Sequence, residues 1–395
     1  MNTRDKWLLP EGIEEVLPPS AWRLECARRE LLDLFNSWGY ELIMPPLIEY
    51  LESLLTGTGN DLDLQTFKLT DQLTGRMMGV RADMTPQAAR IDAHALRHEA
   101  PTRLCYMGTV LRTRPDGFAG SRSPLQMGAE LFGHHGIESD AEILSLVLES
   151  LGLMQVSDVH VDLGHVGIFR SLAAEAGLDE RLELALFDAL QRKAVTDISE
   201  ILDASGAGRE QRDRLAVLVE LNGGQEILET ARARLAGAGE AVMVALDNLN
   251  AIATAMRQRQ GATRLFFDLA ELRGYRFHTG MVFAVFVPGR GQEIARGGRY
   301  DAIGKVFGRA RAATGFSMDL KLLMELSPRD PGLSSGSILA PADTDAGLQA
   351  VVSKLRADGE RVVFELPGQQ GAAADLGCER VLTKQNGNWV VESTH

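Results

Sequence analysis

The sequence predicts an α+β fold in which a mixed, mostly antiparallel sheet is flanked by helices. First, apolar segments at 66–69 and 76–80, and again at 104–111 and 125–132, are joined by polar loops, as in antiparallel hairpins. Second, segments with apolar residues every three or four positions indicate amphipathic helices around them. Third, no GxGxxG follows a predicted strand and no GxxxxGKS or GxxxxGKT occurs, which disfavours a Rossmann or P-loop fold.

The first elements are a helix and an edge strand. Ser20 is a predicted N-cap, and apolar residues recur at helical spacing over 24–38 until Gly39 ends the helix. Residues 40–46 are apolar and extended, but Pro45 and Pro46 cannot donate ladder hydrogen bonds. We therefore expect an edge strand there.

The elements up to residue 163 follow the same two periodicities. They are, in order, strands 66–69 and 76–80 around a turn at 71–75, a helix over 86–100, a strand at 104–111, a polar loop at 112–122, a strand at 125–132, a helix over 140–151 capped by Asp140, and a strand at 159–163.

The second half divides into a helical block and a short tail. Residues from about 170 to 260 are rich in Ala, Leu, Glu and Arg and predict a helical insertion, after which strands resume at 265–269 and 281–287. The segment 327–336 is rich in Pro, Gly and Ser and predicts a linker. We therefore divide the chain into a core at 1–326, this linker and a small α/β domain at 337–395.

Composition and charge narrow the function classes. Hydrophobic residues make up 45% and charged residues 24% of 395 residues, as in a globular protein of two or three domains. Lys and Arg number 41 against 54 Asp and Glu, a net charge of −13, which argues against general nucleic-acid binding. Three scattered cysteines, no signal-peptide core and no 18-residue apolar run predict a cytoplasmic protein without a membrane span.

Two groups of polar residues stand at strand ends in the first half. Asp83 and Thr85 lie where a strand enters a helix, and the alternative interpretation is a simple helix cap. Arg112 ends one predicted strand, while Gln126 and Glu130 share a face of the next. Such a group is costly to bury without a ligand, although an internal ion pair between Arg112 and Glu130 is an alternative.

Two further groups lie in the second half. Arg273, Phe277 and His278 precede an apolar strand and predict a pocket wall, with a surface turn as the alternative. Tyr300 belongs to the Gly-rich segment 296–301, for which a plain hairpin turn is the alternative. His134 and His135 have no third ligand at useful spacing, so we expect neither a metal nor a cofactor.

Taken together, these segments resemble the class II synthetase core, and specifically the histidyl-tRNA synthetase family. Residues 39–46 resemble the first class II motif, which forms a dimer, 111–133 the second, and 297–318 the approach to the third. Residues 272–283 are similar to the histidine-specific segment of that family. The resemblance covers about 1–326 and implies a class II fold with a homodimer interface.

The resemblance also implies a histidine-like pocket. The matching positions are Asp83, Thr85, Arg112, Gln126, Glu130, Arg273, Phe277, His278 and Tyr300. Asp83 replaces a glutamate of the family, and Phe277 and His278 replace a tyrosine pair.

The positions that match the ATP-binding residues of the family differ from the family pattern. Leu322 stands where the third motif carries an ATP-binding arginine, and no Arg occurs between Arg311 and Arg329. Asp319 replaces a small glycine, and Arg114 replaces a glutamate of the second motif. Because acyl activation relies on charges that clamp the triphosphate, we expect no aminoacylation and no catalytic residue in this chain.

The tail departs as well, and the departures together resemble one family of synthetase paralogues. Residues 337–395 are short for an anticodon-binding domain and carry five basic against eight acidic residues, a net charge of −3. The whole pattern is similar to the regulatory subunits of ATP phosphoribosyltransferase. That resemblance implies the short catalytic subunit as partner in a hetero-octamer, no nucleic-acid partner, and feedback regulation by histidine in histidine biosynthesis.

Two alternatives stay open from the residues alone. One is a working histidyl-tRNA synthetase with unusual ATP contacts, against which Leu322 argues. The other is a synthetase-like protein that binds histidine without a partner, or a related amino-acid ligase, which would need ATP as well.

Overall fold

The computed structural model describes residues 7–56, 60–115, 120–260, 264–275, 277–329 and 336–394. The chain separates into two compact units, Met1–Arg329 and Asp330–His395. Residues 327–329 bond to the first unit, since the Ser327 hydroxyl donates to the Met154 carbonyl at 2.6 Å. Residues 330–335 of the predicted linker lie outside the described residues, as do 116–119 of the predicted loop at 112–122.

A nine-stranded sheet forms the centre of the first unit. Its order is β1-β5-β6-β12-β11-β10-β7-β9-β8, and the strands are β1 (Glu41–Leu42), β5 (Thr102–Thr109), β6 (Leu125–Phe132), β7 (His160–His165), β8 (Asn222–Gly223), β9 (Arg264–Asp268), β10 (Met281–Phe286), β11 (Ala295–Arg299) and β12 (Ala313–Asp319). Among the described pairs of this sheet, only β1–β5 and β7–β9 are parallel. The predicted mixed, mostly antiparallel sheet is confirmed, and β1 lies at its edge as expected.

A second, three-stranded sheet lies in the N-terminal region. It has the order β2-β4-β3 and consists of β2 (Ile48–Tyr50), β3 (Phe67–Thr70) and β4 (Met77–Val80). The predicted hairpin is therefore present, but it pairs with β2 and not with the central sheet. Two short helices, α2 (Leu51–Leu55) and α3 (Asn60–Gln65), connect β2 to β3 and were not predicted.

Helices cover the central sheet and bury its core. They are α1 (Ser20–Ser37), α4 (Thr85–Arg90) with a π-helical continuation (Ile91–Leu96), α5 (Ile137–Leu153), α6 (Val166–Glu175), α7 (Glu180–Gln191), α8 (Val195–Ala204), α9 (Arg209–Ala216), α10 (Ile227–Arg234), α11 (Glu240–Gln260) and α12 (Leu320–Leu326). One large apolar cluster joins α5, α6 and α11 to the strands below them. The helical block is thus α6–α11, interrupted by β8.

Several predicted boundaries are wrong for identifiable reasons. Ser20 begins α1 and does not cap it, and the residue before it, Pro19, makes no side-chain cap. The helix predicted over 86–100 ends at Leu96, because Arg97 is left-handed. Asp140 does not cap its helix, which begins at Ile137; it is buried and bound to Arg299.

The second unit is a small α/β fold. Its sheet has the order β14-β13-β15-β16, formed by β13 (Ser337–Ala340), β14 (Val362–Phe364), β15 (Cys378–Gln385) and β16 (Asn388–Ser393). The helix α13 (Ala346–Ala357) packs on this sheet through Leu348 and Val352. Across the described part of the whole chain, no helix has the length and apolar character to span a membrane.

Candidate functional site

The site is built on the centre of the large sheet. Gln126 and Glu130 lie on one face of β6, as their spacing predicts, and pair in register with Asp319 and Gly315 of β12. A Cβ atom at position 315 would overlap the Glu130 carboxylate, so glycine is required there. The missing side chain at Gly315 therefore leaves space on the face of the sheet for the Glu130 carboxylate.

Glu130 is a fully buried carboxylate between two tyrosines. It has no solvent exposure, and the Tyr106 hydroxyl donates to its Oε1 at 2.9 Å. The Tyr300 hydroxyl donates to its Oε2, and Thr85 bonds the Tyr106 hydroxyl at 3.0 Å. This arrangement replaces the predicted alternative of an ion pair with Arg112. Sequence reasoning missed Tyr106, although it lies in the strand that pairs with β6.

Burial changes the acidity of this group. Desolvation raises the Glu130 pKa to about 8, although the two tyrosine hydroxyls oppose the shift. The same burial raises the pKa of Tyr106 and of Tyr300 well above the usual value. The folded chain therefore favours the protonated form of this carboxyl group more than water does.

This shift predicts a pH dependence of stability that Glu130→Gln removes. Below the ordinary pKa of about 4.5, Glu130 is protonated in both the folded and the unfolded chain. As the pH rises from 4.5 toward 8, Glu130 loses its proton in the unfolded chain but keeps it in the folded chain. As the pH rises, the free energy of unfolding of the native chain should therefore fall relative to that of Glu130→Gln, by at most about 1.4 kcal/mol per pH unit. Chemical denaturation of both proteins between pH 5 and pH 8 measures the difference, and parallel curves would contradict the assigned burial.

Asp83 and Gln126 form a second polar pair beside Glu130. The Gln126 side-chain amide donates to Asp83 Oδ1 at 2.8 Å and accepts from the Met84 backbone N–H at 2.9 Å. Asp83 Oδ1 also accepts from the Thr85 N–H at 2.9 Å. The carboxylate is thus held by two hydrogen bonds where α4 begins. The helix-cap alternative is wrong, because the N-cap of α4 is Met84 and no side chain caps the helix.

Three rings form the opposite wall. Phe277 stacks on Tyr300 with ring centroids 4.9 Å apart, and His278 meets Tyr300 edge-on at 6.4 Å. His278 Nδ1 lies 3.2 Å from the Arg299 carbonyl oxygen, and burial lowers the pKa of this histidine to about 4. The imidazole is therefore neutral at pH 7.

Arg299 holds this wall in place and was not predicted. Its guanidinium forms an ion pair with buried Asp140 at 3.0 Å and donates to Ser139 Oγ at 2.9 Å. It also donates to the carbonyls of His134 and Gly136, each at 3.1 Å. Residues 295–299 form strand β11, so the predicted alternative of a plain hairpin turn is wrong.

Arg273 is bound to carboxylates outside this wall. Its guanidinium lies 3.7 Å from Glu271 and 3.7 Å from Glu293, and above the Phe286 ring at 5.1 Å. Neither Asp83 nor Glu130 is among these partners.

The nine predicted positions are divided between two cavities. A cavity of about 490 Å³ is lined by Asp83, Thr85, Glu130, Arg273, Phe277, His278 and Tyr300. A second cavity of about 640 Å³ is lined by Arg112 and Gln126, together with Asp319, Lys321 and Leu322. Arg296 and Ser317 line both, so the two cavities adjoin. We call them the ring cavity and the outer cavity.

The polar side chains Asp319 and Lys321, which line the outer cavity, form hydrogen bonds with other groups of the chain. Asp319 Oδ1 accepts from the backbone N–H of Leu125 and of Lys321, each at 3.0 Å, and burial raises the pKa of this carboxyl. Lys321 Nζ donates to the Ser123 carbonyl at 2.8 Å. Leu322 packs against the apolar core. Within the described residues, no group of three or more His, Cys, Asp or Glu could hold a metal ion.

Comparison with known proteins identifies the family of the chain. The family model described as histidyl-tRNA synthetase matches residues 12–323, and one described as the ATP phosphoribosyltransferase subunit HisZ C-terminal domain matches 335–392. An ATP phosphoribosyltransferase regulatory subunit of Thioalkalivibrio sulfidiphilus is 61% identical over 392 residues, 99% of each chain. The chain belongs to the ATP phosphoribosyltransferase regulatory subunit family. The regulatory subunit of Alkalilimnicola ehrlichii is 58% identical over 98% of this chain and 97% of its own.

Solved structures place this regulatory-subunit family on the synthetase fold. A Bacillus halodurans protein titled ATP phosphoribosyltransferase regulatory subunit/histidyl-tRNA synthetase superposes with a TM-score of 0.82 at 28% identity, covering 93% of this chain and 95% of that one. The histidyl-tRNA synthetase of a Nostoc species reaches a TM-score of 0.76 at 19% identity, covering 98% of this chain and 97% of that one. The predicted class II synthetase-like fold is confirmed.

Proposed function

We propose that this chain is the non-catalytic regulatory subunit that the short catalytic subunit of ATP phosphoribosyltransferase requires for the first step of histidine biosynthesis. The observation that carries the proposal is the identity of 56–61% with regulatory subunits over 98–99% of the chain. The match extends into the tail, residues 335–392, which is where the chain departs from a synthetase.

Histidine is the proposed ligand of the ring cavity. Asp83 offers an anionic partner for an ammonium group, and Glu130 offers a polar group deeper in the same cavity. Phe277 and Tyr300 supply stacked ring faces against which an imidazole can pack. These groups together suit a cationic amine joined to a flat polar ring.

Loss of synthetase activity is the second part of the proposal. Leu322 is apolar and packs on the core, so it offers no charge to a triphosphate. Asp319 adds a carboxylate to the same cavity, where it would repel phosphate oxygens if ionised. The four described basic residues that line that cavity all bond acidic or carbonyl groups of the chain: Arg112, Arg290, Arg296 and Lys321.

Assembly is the third part. The segment 42–48, which leads from the edge strand β1 of the central sheet to β2, exposes large apolar side chains, including Met44 at 81% exposure. Contiguous exposed apolar surface is typical of protein interfaces. We propose that two copies pair through this segment and that the dimer joins the catalytic subunit in a hetero-octamer.

Mixing the purified chain with the short catalytic subunit tests the proposal. We expect no phosphoribosyl-ATP from the chain alone, a higher rate from the mixture than from the catalytic subunit alone, and a complex in native mass spectrometry. Unchanged rate and mass on mixing would contradict it. Histidine-dependent pyrophosphate exchange by the chain alone would instead support the alternative of an active synthetase.

A further inference from the structure

The small three-stranded sheet has one apolar face that joins no core. The register of β2, β4 and β3 places six apolar side chains on the same side: Ile48, Tyr50, Phe67, Leu69, Met78 and Val80. None of the six belongs to, or packs against, any of the three buried apolar clusters of the described chain. We call these six residues the small-sheet face.

The opposite side of the same sheet packs against the chain itself. A Cβ atom on Gly79 would meet the side chains of two leucines of α2. The Glu49 carboxylate accepts hydrogen bonds from Gln87 and Arg90 of α4, each at 2.7 Å. One side of the sheet is therefore used for folding, whereas the small-sheet face is an apolar surface of the kind that protein interfaces use.

The hairpin of β3 and β4 carries a leucine at its tip. Leu73 is 95% exposed. Asp71 Oδ1 accepts from the Leu73 N–H at 3.0 Å, and the Asp71 carbonyl accepts from the Gly75 N–H at 2.8 Å, so the turn is fixed. A side chain on a fixed turn loses little backbone freedom on binding, which favours Leu73 as an anchor in an interface.

The small-sheet face also carries a positive charge. The Arg122 guanidinium lies 5.4 Å from the centroid of the Phe67 ring. Its hydrogen bonds go to the carbonyl oxygens of Glu11 and Arg112, at 2.9 Å and 3.0 Å, and no described carboxylate forms an ion pair with it. The face therefore keeps a cation, although the chain as a whole has a net charge of −13.

This charge disfavours pairing of the face with the same face of a second copy. A two-fold interface presents the same patch from both copies, so it would bring two Arg122 guanidinium groups to one apolar interface. The carboxylates of β2, α2 and the hairpin turn are already bound within the chain: Glu49 by α4, Glu52 by Arg76, and Asp71 by its own turn. A partner that brings its own carboxylates around an apolar centre is complementary to the face.

The small-sheet face is connected to both cavities. Asp83 follows β4 along the chain, Gln65 precedes β3, and both line the ring cavity. Arg122 donates to the carbonyl of Arg112, which lines the outer cavity. A subunit bound to this face would therefore contact the strands whose ends form the site.

We propose that the small-sheet face, with Leu73 as its anchor, binds the catalytic subunit through an apolar patch that is rimmed by carboxylates. This inference rests on the proposed function, in which the catalytic subunit is the partner. Ile48 also belongs to the segment 42–48, which we propose pairs two copies of the chain. The catalytic subunit would thus bind beside the homodimer interface.

Two neighbouring methionines of β4 provide a matched test. Met78 belongs to the small-sheet face, whereas Met77 lies on the opposite side of the strand and is 47% exposed. Calorimetry would measure the binding of the purified short catalytic subunit to the native full-length chain, to Met78→Lys and to Met77→Lys. We expect Met78→Lys to weaken binding about 30-fold and Met77→Lys about twofold or less. Native mass spectrometry of each chain alone should show the oligomeric state of the native chain.

Two further variants test the anchor and the charge. Leu73→Ser cannot disturb a core, because the side chain is almost fully exposed, and it should weaken binding about fivefold. Arg122→Gln keeps a donor for a backbone carbonyl but removes the charge. It should bind about threefold more weakly at low salt and lose part of the native salt dependence. Native binding that does not weaken with added NaCl would contradict the rim of carboxylates.

The outcomes separate the inference from the proposed function. Native affinity in folded Met78→Lys, or in Leu73→Ser if Met78→Lys does not fold, would overturn the inference and leave the proposed function intact. A changed oligomeric state of Met78→Lys without the catalytic subunit would assign the face to a second copy and would overturn the inference as well. Absence of any complex between the native chain and the catalytic subunit would overturn both.

Discussion

Replacing Arg299 with leucine is expected to lower the free energy of unfolding by about 3–5 kcal/mol, because it leaves a buried carboxylate uncompensated. Asp140 lies 3.0 Å from this guanidinium, and burial already raises its pKa. The variant should also bind histidine more weakly, since Arg299 anchors the strand end that positions His278 and Tyr300. Denaturant titration and calorimetry measure the two effects.

Arg311→Leu separates the two effects. Arg311 is equally enclosed and forms a 2.7 Å ion pair with buried Asp92, but it lines neither cavity. We expect a similar loss of stability and, at a temperature where the variant is folded, native affinity for histidine. Equal losses of affinity in the two variants would show that Arg299 acts only through global stability.

Glu130→Gln is expected to weaken histidine binding about 10- to 100-fold, the range for leaving a buried hydrogen-bonding partner unsatisfied. The substitution keeps the volume of the side chain, so the packing against Gly315 is preserved. It also places an amide N–H₂ against one of the two tyrosine hydroxyls that donate to the carboxylate in the native chain. Calorimetry of the native and variant chains at pH 7 gives the affinity difference.

Glu142→Gln is the control for this substitution. Glu142 also accepts from a tyrosine hydroxyl, that of Tyr40 at 3.0 Å, and pairs with Arg103 at 2.7 Å, yet it lies outside both cavities. It should keep native affinity for histidine. Full affinity in Glu130→Gln would remove Glu130 from the ligand site.

The sequence predicted elements whose patterns are local. The hairpin at β3 and β4 and the long helix α1 follow from periodicity alone, so they were found. Strand β11 was missed because its Gly-Gly pair has low strand propensity. A Cβ at Gly297 or Gly298 would meet backbone of β12 or β10, so the sheet itself demands glycine there.

The sequence predicted those site residues that lie on the same strand or helix. Gln126 and Glu130 lie on one face of β6 by strand parity, which the sequence contains. Tyr106 and Arg299 were missed because their partners are 24 and 159 residues away in the chain. Arg273 pairs with Glu271, two residues away in the chain, and tertiary packing adds Glu293 as its second carboxylate partner.

The response of the mixed complex to histidine tests the central claim most directly. The initial rate of phosphoribosyl-ATP formation would be followed at increasing histidine, with the catalytic subunit alone, with the native chain, and with Glu130→Gln. We predict that the native chain raises the rate and makes it sensitive to histidine, and that Glu130→Gln raises the rate but shifts inhibition to about 10- to 100-fold higher histidine. A rate that the native chain does not raise, or a histidine response identical with and without it, would contradict the account.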